Sequence, residues 1–363
     1  MRKLNNILVT GGSGFIGTNF VRYMLLKTKN FSGRIINLDA LTYAGNPMSL
    51  IDIDEQFGQK SQGKNARYFF EHGDICDRAP VESLFKKYEI DTVVHFAAES
   101  HVDRSIFGPE KFINTNVMGT FNLLEVARNE WKHNDGTLFH YVGTDEVFGS
   151  LGETGYFSEN SPYDPRSPYS ASKAASDHMA MAYHHTYGLN VTLSNCSNNY
   201  GPYQFPEKFI PLMILNMLEG KPLPVYGDGK NIRDWLYVED HNSAVWNIMQ
   251  NGREGEKYNI GGDNQWENIK LLEELINIVA SAANLDSTTI SSKITHVKDR
   301  PGHDRRYAID CSKIKKELGW RQSVSFEDGL NFTVDWYLRN AEWVDKIKTG
   351  EYKSWIEKNY LER

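Results

Sequence analysis

Ile7-Leu-Val-Thr-Gly-Gly-Ser-Gly-Phe-Ile-Gly17 is the stretch that decides how this 363-residue chain is read. An apolar run ends in three glycines spaced three apart, Gly11, Gly14 and Gly17, and a helical pattern with Phe20, Tyr23, Met24 and Leu25 follows. The pattern predicts a buried strand, a tight turn and a helix start. Gly11 permits the turn, Gly14 lets backbone approach a ligand, and Gly17 lets the helix pack closely on the strand. The unpaired N–H groups and positive dipole end of such a helix suit a pyrophosphate. An ordinary strand–helix corner can also be glycine-rich, so the next strand matters. Arg34-Ile-Ile-Asn-Leu38 ends in Asp39, about 20 residues past the glycines, where a carboxylate binds an adenosine ribose diol in dinucleotide-binding folds.

Composition sets the frame for this motif. The length allows one large domain or two, and 24% charged with 40% hydrophobic residues is ordinary for a globular protein. A net charge of −7 argues against a nucleic-acid-binding surface. No apolar run is long enough to span a membrane. A strand pattern begins directly after Met1-Arg2-Lys3, without the features of a signal peptide. Cys76, Cys196 and Cys311 are odd in number and far apart, which fits a reduced, cytoplasmic protein and gives no metal-binding spacing.

The first half alternates strand and helix patterns. Thr42 to Asn65 is a polar segment with no strong period, and Tyr68-Phe-Phe then reads as a third strand. Asp74 and Ile75 follow it, close to where an adenine ring would lie, although Asp74 reads equally well as a helix N-cap. Thr92-Val-Val-His-Phe-Ala-Ala98 has the continuous apolar character of a strand buried on both faces. Its small residues Ala97 and Ala98 precede the polar run Glu99-Ser-His-Val-Asp-Arg-Ser105, a loop expected at the sheet's carboxyl edge. A helix pattern from about Pro109 to Trp131 contains Asn114, Thr115 and Asn116, the last placed to support a catalytic face. A fifth strand, Leu138 to Val142, delivers Gly143-Thr144-Asp145-Glu146 to the same edge. A sixth, Asn190 to Cys196, leads into Ser197-Asn-Asn-Tyr-Gly-Pro-Tyr-Gln204. Beyond it, Leu223–Tyr226, Lys257–Ile260 and Lys293–Val297 are short strand-like pieces. The loops between them carry Lys208, Arg233, Asn268, Arg300, His303 and Arg305, each of which, taken singly, reads as a solvated surface residue. The tail, roughly Phe326 to Tyr360, is helical and Trp-rich. The fold expected is a doubly wound α/β domain over residues 1–197, with some later segments returning to it, and a smaller substrate domain over 198–363.

Tyr169 and Lys173 are the sharpest catalytic pair, since positions i and i+4 share a helix face. A tyrosine hydroxyl titrates near ~10; an ammonium one turn away and a positively charged nicotinamide would lower that value and let the phenolate act as a base on a sugar hydroxyl. Lys173 would also hold the nicotinamide ribose. Thr144 can hydrogen-bond the oxygen being oxidised. Asp145 and Glu146 add what a plain dehydrogenase does not need: adjacent carboxylates in a closed site tend to share one proton, giving one acid and one base.

Together, Gly11, Gly14 and Gly17 with Tyr169-x-x-x-Lys173 resemble the extended short-chain dehydrogenase/reductases that act on nucleotide sugars. Four stretches narrow this to a resemblance to the dTDP-glucose 4,6-dehydratase family: Ala97 to Ser105, Thr144 to Gly149, Ser197 to Tyr203 and Asp299 to Asp304. The resemblance runs from about Ile7 to Trp320 and implies a modified Rossmann domain with a C-terminal nucleotide-sugar domain, a retained NAD, and a homodimer built on helices near 109–132 and 169–186. Carried over by residue, it implies that Phe15 and Ile16 cover the pyrophosphate turn and that Asp39, Ala40, Leu41 and Thr42 meet the adenosine ribose. Asp74 and Ile75 would flank adenine, and Ala97, Ala98, Ser100, Thr115 and Asn199 would line the cofactor. For substrate it implies Ser100, Thr144, Asp145, Glu146, Asn198, Lys208, Phe209, Pro224, Val225, Tyr226, Arg233 and Asn268, with Asp299, Arg300, Pro301, Gly302 and His303. Phe148 stands where the family usually has tyrosine, and Phe209 where it usually has leucine. The expected activity is dehydration to a 4-keto-6-deoxy sugar nucleotide. A nucleotide-sugar 4-epimerase or decarboxylase, and a non-catalytic NAD-sensing protein, are the alternatives; the first lacks Asp-Glu after the hydroxyl residue, and the second usually loses the Tyr or the Lys.

Overall fold

The computed structural model describes residues 1–132 and 136–348. Six strands alternate with helices: β1 (Asn6–Thr10), β2 (Arg34–Asp39), β3 (Tyr68–His72), β4 (Thr92–His95), β5 (Leu138–Thr144) and β6 (Val191–Cys196). Six more follow: β7 (Asn198–Tyr200), β8 (Leu223–Tyr226), β9 (Ile232–Tyr237), β10 (Glu256–Ile260), β11 (Gln265–Glu267) and β12 (Ile294–Val297). The main sheet has seven strands in the order β10-β6-β5-β4-β1-β2-β3, and all its pairs are parallel.

Alternation along each strand feeds both faces of this sheet. Ile7 and Val9 of β1 pack with Phe20, Val21, Val245 and Ile248, from the helices Phe15–Arg22 and Val238–Asn251. Leu8, between them, packs on the other face with Leu84, Leu123 and Ala180, from the helices Arg78–Tyr88, Gly119–Glu130 and Pro168–Tyr187. A sheet covered on both sides explains the continuous apolar strands. Strand order reverses between β1 and β4, which leaves a crevice at their carboxyl ends, the ligand site of open α/β sheets. Glycine is required there. Gly11 has φ +71°, and a Cβ on it would stand 2.7 Å from the Ala97 backbone. At Gly17 a Cβ would stand 2.2 Å from the Gly11 carbonyl oxygen, so only glycine lets the helix lie this close to the turn.

The later strands form a three-stranded sheet, β11-β9-β7, and a parallel pair, β12 with β8. They share a second core, containing Leu212, Leu275 and Leu330, with the helices Phe209–Leu218, Asn268–Ala283 and Phe326–Arg339. Among the described residues, no helix is long and apolar enough to cross a membrane.

Three expectations need correction. The polar stretch from Thr42 to Asn65 is largely helical, over Pro47–Leu50, Ile51–Phe57 and Gln59–Gln62. Leu50, Ile53 and Phe57, spaced three and four apart, tie it into the core beside Tyr68, although the residues around them are polar. Lys257–Ile260 belongs to β10 and sits at the edge of the first sheet, against β6; nothing local to it reveals a partner so distant in sequence. The helix pattern from Pro109 is interrupted by a π-helical segment, Ile113–Met118, of the kind that often marks functional positions. The Trp-rich tail is present as the helices Phe326–Arg339 and Ala341–Ile347, where Trp336 and Trp343 pack around Tyr203; its part beyond residue 348 lies outside the described residues.

Candidate active site

A cavity of about 300 Å³ lies at the reversal of strand order. Its walls bring together Gly11, Gly14, Phe15, Ile16, Gly17, Asp39, Ala40, Thr42, Asp74, Ile75, Ala97, Ala98, Ser100, Thr115 and Asn199, with Thr144, Asp145, Glu146, Tyr169, Lys173, Asn198 and Lys208. Leu41 is not among the lining residues. Its backbone, left-handed at φ +50°, instead donates its N–H to Asp39 Oδ1 at 2.8 Å. Asp39 Oδ2 accepts from the Ser13 N–H at 2.9 Å, so the end of β2 is tied to the glycine turn. Asp74 does not cap the next helix: Asp77 occupies that position, and Asp74 Oδ1 accepts from the Cys76 N–H at 2.9 Å.

The residues present fit NAD. The helix Phe15–Arg22 starts at Gly14 with no side-chain cap and no acid in its first turn, so its amides and dipole suit a pyrophosphate. Asn199 Oδ1 is buried on the cavity wall with no hydrogen-bond partner among the described residues. Asp39 would repel a 2′-phosphate, and no arginine follows it directly. Calorimetric titration is therefore expected to give much weaker binding for NADP than for NAD, and equal affinities would remove Asp39 from the ribose.

The side chains expected to be catalytic come from two elements whose starts are set by local sequence. β5 ends at Thr144, whose Oγ1 accepts from the Glu146 N–H at 3.3 Å and so opens the short helical turn Asp145–Phe148. The helix Pro168–Tyr187 starts with a capping box, Ser167 with Ser170, and Pro168 in its first turn; it ends at Gly188 in the left-handed conformation. Tyr169 thus stands in the first turn, on the cavity wall with Thr144, and Lys173 one turn on. The Lys173 ammonium donates to the Val142 carbonyl at 2.8 Å and lies 4.4 Å from the Tyr141 ring centroid. Burial pushes its pKa down to about 8. Asn116 holds this face as expected: its side chain bonds both backbone groups of Glu99 and Ser172 Oγ, beside Lys173.

Within the protein, burial first and the Glu146 charge second push the Tyr169 hydroxyl well above its ordinary pKa. The lowering expected from Lys173 together with a positively charged nicotinamide concerns the site with cofactor bound.

Asp145 and Glu146 are adjacent but differently placed. Asp145 is 1% exposed; burial, the Glu146 charge and then Asp234 push its carboxyl well above the usual range, and its Oδ2 has no hydrogen-bond partner among the described residues. Burial also raises Glu146, but Arg300, Lys208 and Arg233 oppose that rise in turn. Both carboxyls are raised, Asp145 the more strongly, and only Glu146 has three cations that favour its anion.

The remaining substrate candidates, Phe209, Pro224, Val225, Tyr226, Arg233, Asn268, Asp299, Arg300, Pro301, Gly302 and His303, do not line that cavity. Most of them gather in a second cluster joined to it. Arg300 lies 3.9 Å from Asp103 and Tyr226 Oη 3.5 Å from the same carboxylate, while Arg300 and Arg233 both act on Glu146. His303 Nδ1 is 2.6 Å from Asp299 Oδ1, and its ring meets Tyr226 edge-on at 6.0 Å. Arg233 is 5% exposed, lies over the Tyr307 ring at 4.2 Å and donates to the Asp304 carbonyl at 2.9 Å. The Asn268 N–H donates to Asn231, whose side chain also reaches the Asp304 carbonyl. Val225 is turned into the second core with Leu223, so it offers this cluster backbone only. Phe209 packs partly into that core, and Arg305 pairs with Asp228 at the surface. Phe148 is buried, stacked on Phe157 at 5.3 Å.

The family model described as GDP-mannose 4,6 dehydratase matches residues 8–333. The dTDP-glucose 4,6-dehydratase of Salmonella typhimurium (strain LT2) is 50% identical over 368 residues, covering 98% of each chain. The chain belongs to the dTDP-glucose 4,6-dehydratase family. The enzyme of that name from Xanthomonas campestris pv. campestris (strain B100) is 52% identical over 352 residues, 95% of this chain and 97% of its own. Among solved structures, the dTDP-glucose 4,6-dehydratase of Streptomyces venezuelae, crystallised with NAD bound, superposes with a TM-score of 0.85 at 45% identity over 94% of this chain and all of that one.

Several residues of the dehydratase site escaped the reading from sequence. Tyr43, Gln204, Phe205 and Glu207 line the cavity. Tyr43 lies in the segment that showed no period, and Glu207 precedes Lys208 without a motif of its own. Asp103 and Arg104 fall inside the stretch that carries the family resemblance, but their partners, Tyr226, Arg300 and Glu207, come from distant segments.

Proposed function

We infer that this chain dehydrates dTDP-glucose to dTDP-4-keto-6-deoxy-glucose. The observation that carries the inference is Asp145 beside Glu146, in unlike surroundings, in one cavity with Tyr169 and Lys173. The chemistry NAD supplies when bound is reversible hydride acceptance, taken from C4 and given back at C6, so the turnover has no net redox change. Tyr169, on the cavity wall with Thr144, takes the proton of the 4-hydroxyl. The resulting ketone acidifies the C5 hydrogen. Glu146, whose anion Arg300, Lys208 and Arg233 favour, removes it. Asp145, whose carboxyl burial raises, gives its proton to the 6-hydroxyl as the C6–O bond breaks and water leaves. Glu146 then returns a proton to C5. An epimerase or decarboxylase has no use for this acid–base pair. Mass spectrometry of product formed from dTDP-glucose, set beside UDP-, CDP- and GDP-glucose, tests the reading: loss of water from the dTDP sugar supports it, and an unchanged mass with inverted C4 overturns it.

The second cluster is the reading for the nucleotide-sugar diphosphate, which needs convergent donors. Arg233→Lys keeps the charge beside Glu146 but loses the planar fork. It is expected to raise KM roughly ten-fold, with a smaller change in kcat; an unchanged KM removes Arg233 from substrate binding.

Residues 1–197 with β10 are assigned to the NAD-binding domain and most of 198–363 to nucleotide-sugar binding. The homodimer expected on helices near 109–132 and 169–186 is supported by exposed apolar side chains there. Phe107, Ile113 and Met118 are 52%, 47% and 50% exposed, and Ala171, Ala175 and Ala182 are exposed on the adjoining helix. A cytoplasmic location is supported by three free cysteines.

A further inference from the structure

Asp177 lies one helical turn beyond Lys173 on the helix Pro168–Tyr187 and is 1% exposed, yet it does not line the cavity. Its carboxylate is pinned from two sides. Oδ2 accepts from Tyr163 Oη at 2.8 Å and from Asn195 Nδ2 at 2.8 Å. The same Asn195 amide donates to the Thr144 carbonyl at 3.1 Å, at the end of β5. Tyr163 in turn meets Phe148 edge-on at 5.3 Å, and the Asp164 N–H donates to the Val147 carbonyl at 3.0 Å. Asp177 Oδ1 has no hydrogen-bond partner among the described residues. It lies against Gly143, where a Cβ would stand 2.9 Å from it and 2.5 Å from Asn195 Nδ2, so glycine at this position leaves the room that the carboxylate occupies. Lys173 donates to the carbonyl of the residue before that glycine, Val142. Both charges of this helix face therefore bear on consecutive residues of β5, out of water.

A neutral amide could accept the same two hydrogen bonds. Burying a carboxylate costs far more than burying an amide unless a charge balances it, so the charge itself needs a reason. Lys173 supplies one. Burial lowers the Lys173 ammonium to about 8, and Asp177 is the larger of the two groups that oppose the fall. The other, Cys196 at the end of β6, is a thiol pushed up to about 12 by burial and so uncharged at neutral pH. On β4, His95 is held down to about 3 by burial and by Lys173, and on β5, Tyr141 offers its ring face at 4.4 Å. Tyr169, on the same helix, keeps its proton in the chain alone. Asp177 is raised by burial to about 6, opposed by Asn195, Lys173, Tyr163 and Lys257 of β10, and is therefore ionised at neutral pH. We propose that Asp177 is a positioning residue for the dehydration: a buried counter-charge, fixed by Tyr163 and Asn195, that keeps Lys173 an ammonium beside Tyr169. This rests on the proposed function, in which Lys173 serves the oxidation at C4. Asp177 touches neither the cavity nor the reacting atoms and acts through Lys173.

Asp177→Asn keeps the size and an acceptor for Tyr163 and Asn195 and removes the charge. Without it Lys173 should lose its proton at lower pH, by about one unit for an opposite charge lost from a buried neighbour. Turnover of the variant should then depend on pH in a way that a loosened fold does not produce. At about pH 9 its kcat should be about ten-fold below that of the unaltered chain, whereas at about pH 6.5 the two should agree within about two-fold, with KM for dTDP-glucose little changed. Tyr163→Phe removes one hydrogen bond and keeps the charge, so its kcat relative to the unaltered chain should be flat across this range. Lys173 is also followed directly, by NMR of holoenzyme carrying isotopically labelled lysine and no substrate, its signal being the one missing from Lys173→Arg. Its midpoint should lie about one unit lower in Asp177→Asn. If that variant does not fold, the unaltered chain decides: a Lys173 that is neutral at neutral pH leaves no charge to balance and overturns the proposal. A pH-independent ratio with an unmoved Lys173 midpoint in Asp177→Asn, or the same slope in Tyr163→Phe, overturns it as well. A chain that forms no 4-keto product from dTDP-glucose overturns the proposed dehydration instead, and the Lys173 titration, read without substrate, then tests Asp177 by itself.

Discussion

Asp145→Asn and Glu146→Gln will each stall the reaction after oxidation at C4. Both changes keep size and most hydrogen bonds, so they remove a transferable proton in one case and a base in the other. General acid–base groups contribute ~10²–10⁴-fold, and turnover should fall by that order. Oxidation depends on Tyr169, Lys173 and Thr144, which both variants retain, so a 4-keto-glucose nucleotide that keeps its C6 oxygen should accumulate on the enzyme and be seen by mass spectrometry. The two variants should differ at C5. Glu146→Gln should slow exchange of the C5 hydrogen with solvent deuterium, because Glu146 is the carboxylate whose anion three cations favour. Asp145→Asn should leave that exchange less affected, because the buried Asp145 serves the leaving group. Normal turnover in both variants, or complete loss of the 4-keto species in both, would reassign these roles.

Tyr169→Phe will block the step before that. The ring sits against Phe112 and Val102, and phenylalanine keeps this packing, so the fold and NAD binding should change little. Only the phenolic oxygen is lost. Formation of the 4-keto species in a rapid-mixing experiment should drop by about 10³-fold, within the range for a positioned base. Because burial and Glu146 hold the Tyr169 hydroxyl above its ordinary range, the effect should depend on cofactor charge: the tyrosine should titrate lower when oxidised NAD is bound than in the chain alone. Near-native C4 oxidation in the variant would show that another group is the base.

Much of this site was legible in order along the chain, and the reasons are local. A glycine turn must be glycine where a Cβ would strike the next strand, so Gly11 and Gly17 announce a close approach before any coordinates exist. A strand covered on both faces must be apolar throughout, so β1 and β4 could be read as buried and the residues after them as an edge loop. Tyr169 and Lys173 share a face because four residues make about one helical turn, and Asp39 announces itself by its distance from the glycines. These are short-range or spacing constraints, and sequence alone determined them.

What the tertiary structure decided is everything set by partners remote in the chain. β10 carries no mark of its place in the first sheet, because pairing with β6 is a contact between distant segments. The division of labour between Asp145 and Glu146 is invisible in two adjacent acids; it arises because Arg233, Lys208 and Arg300 converge on one of them while the other is buried beside Asp234. The upward push on the Tyr169 hydroxyl within the protein has the same origin, since desolvation depends on the surrounding chain. Tyr43, Arg104 and Glu207 have no motif between them and meet only when three segments fold together. Backbone shape and helix-face geometry depend on nearest neighbours along the chain, whereas charge state and burial depend on nearest neighbours in space, and only the folded chain supplies those.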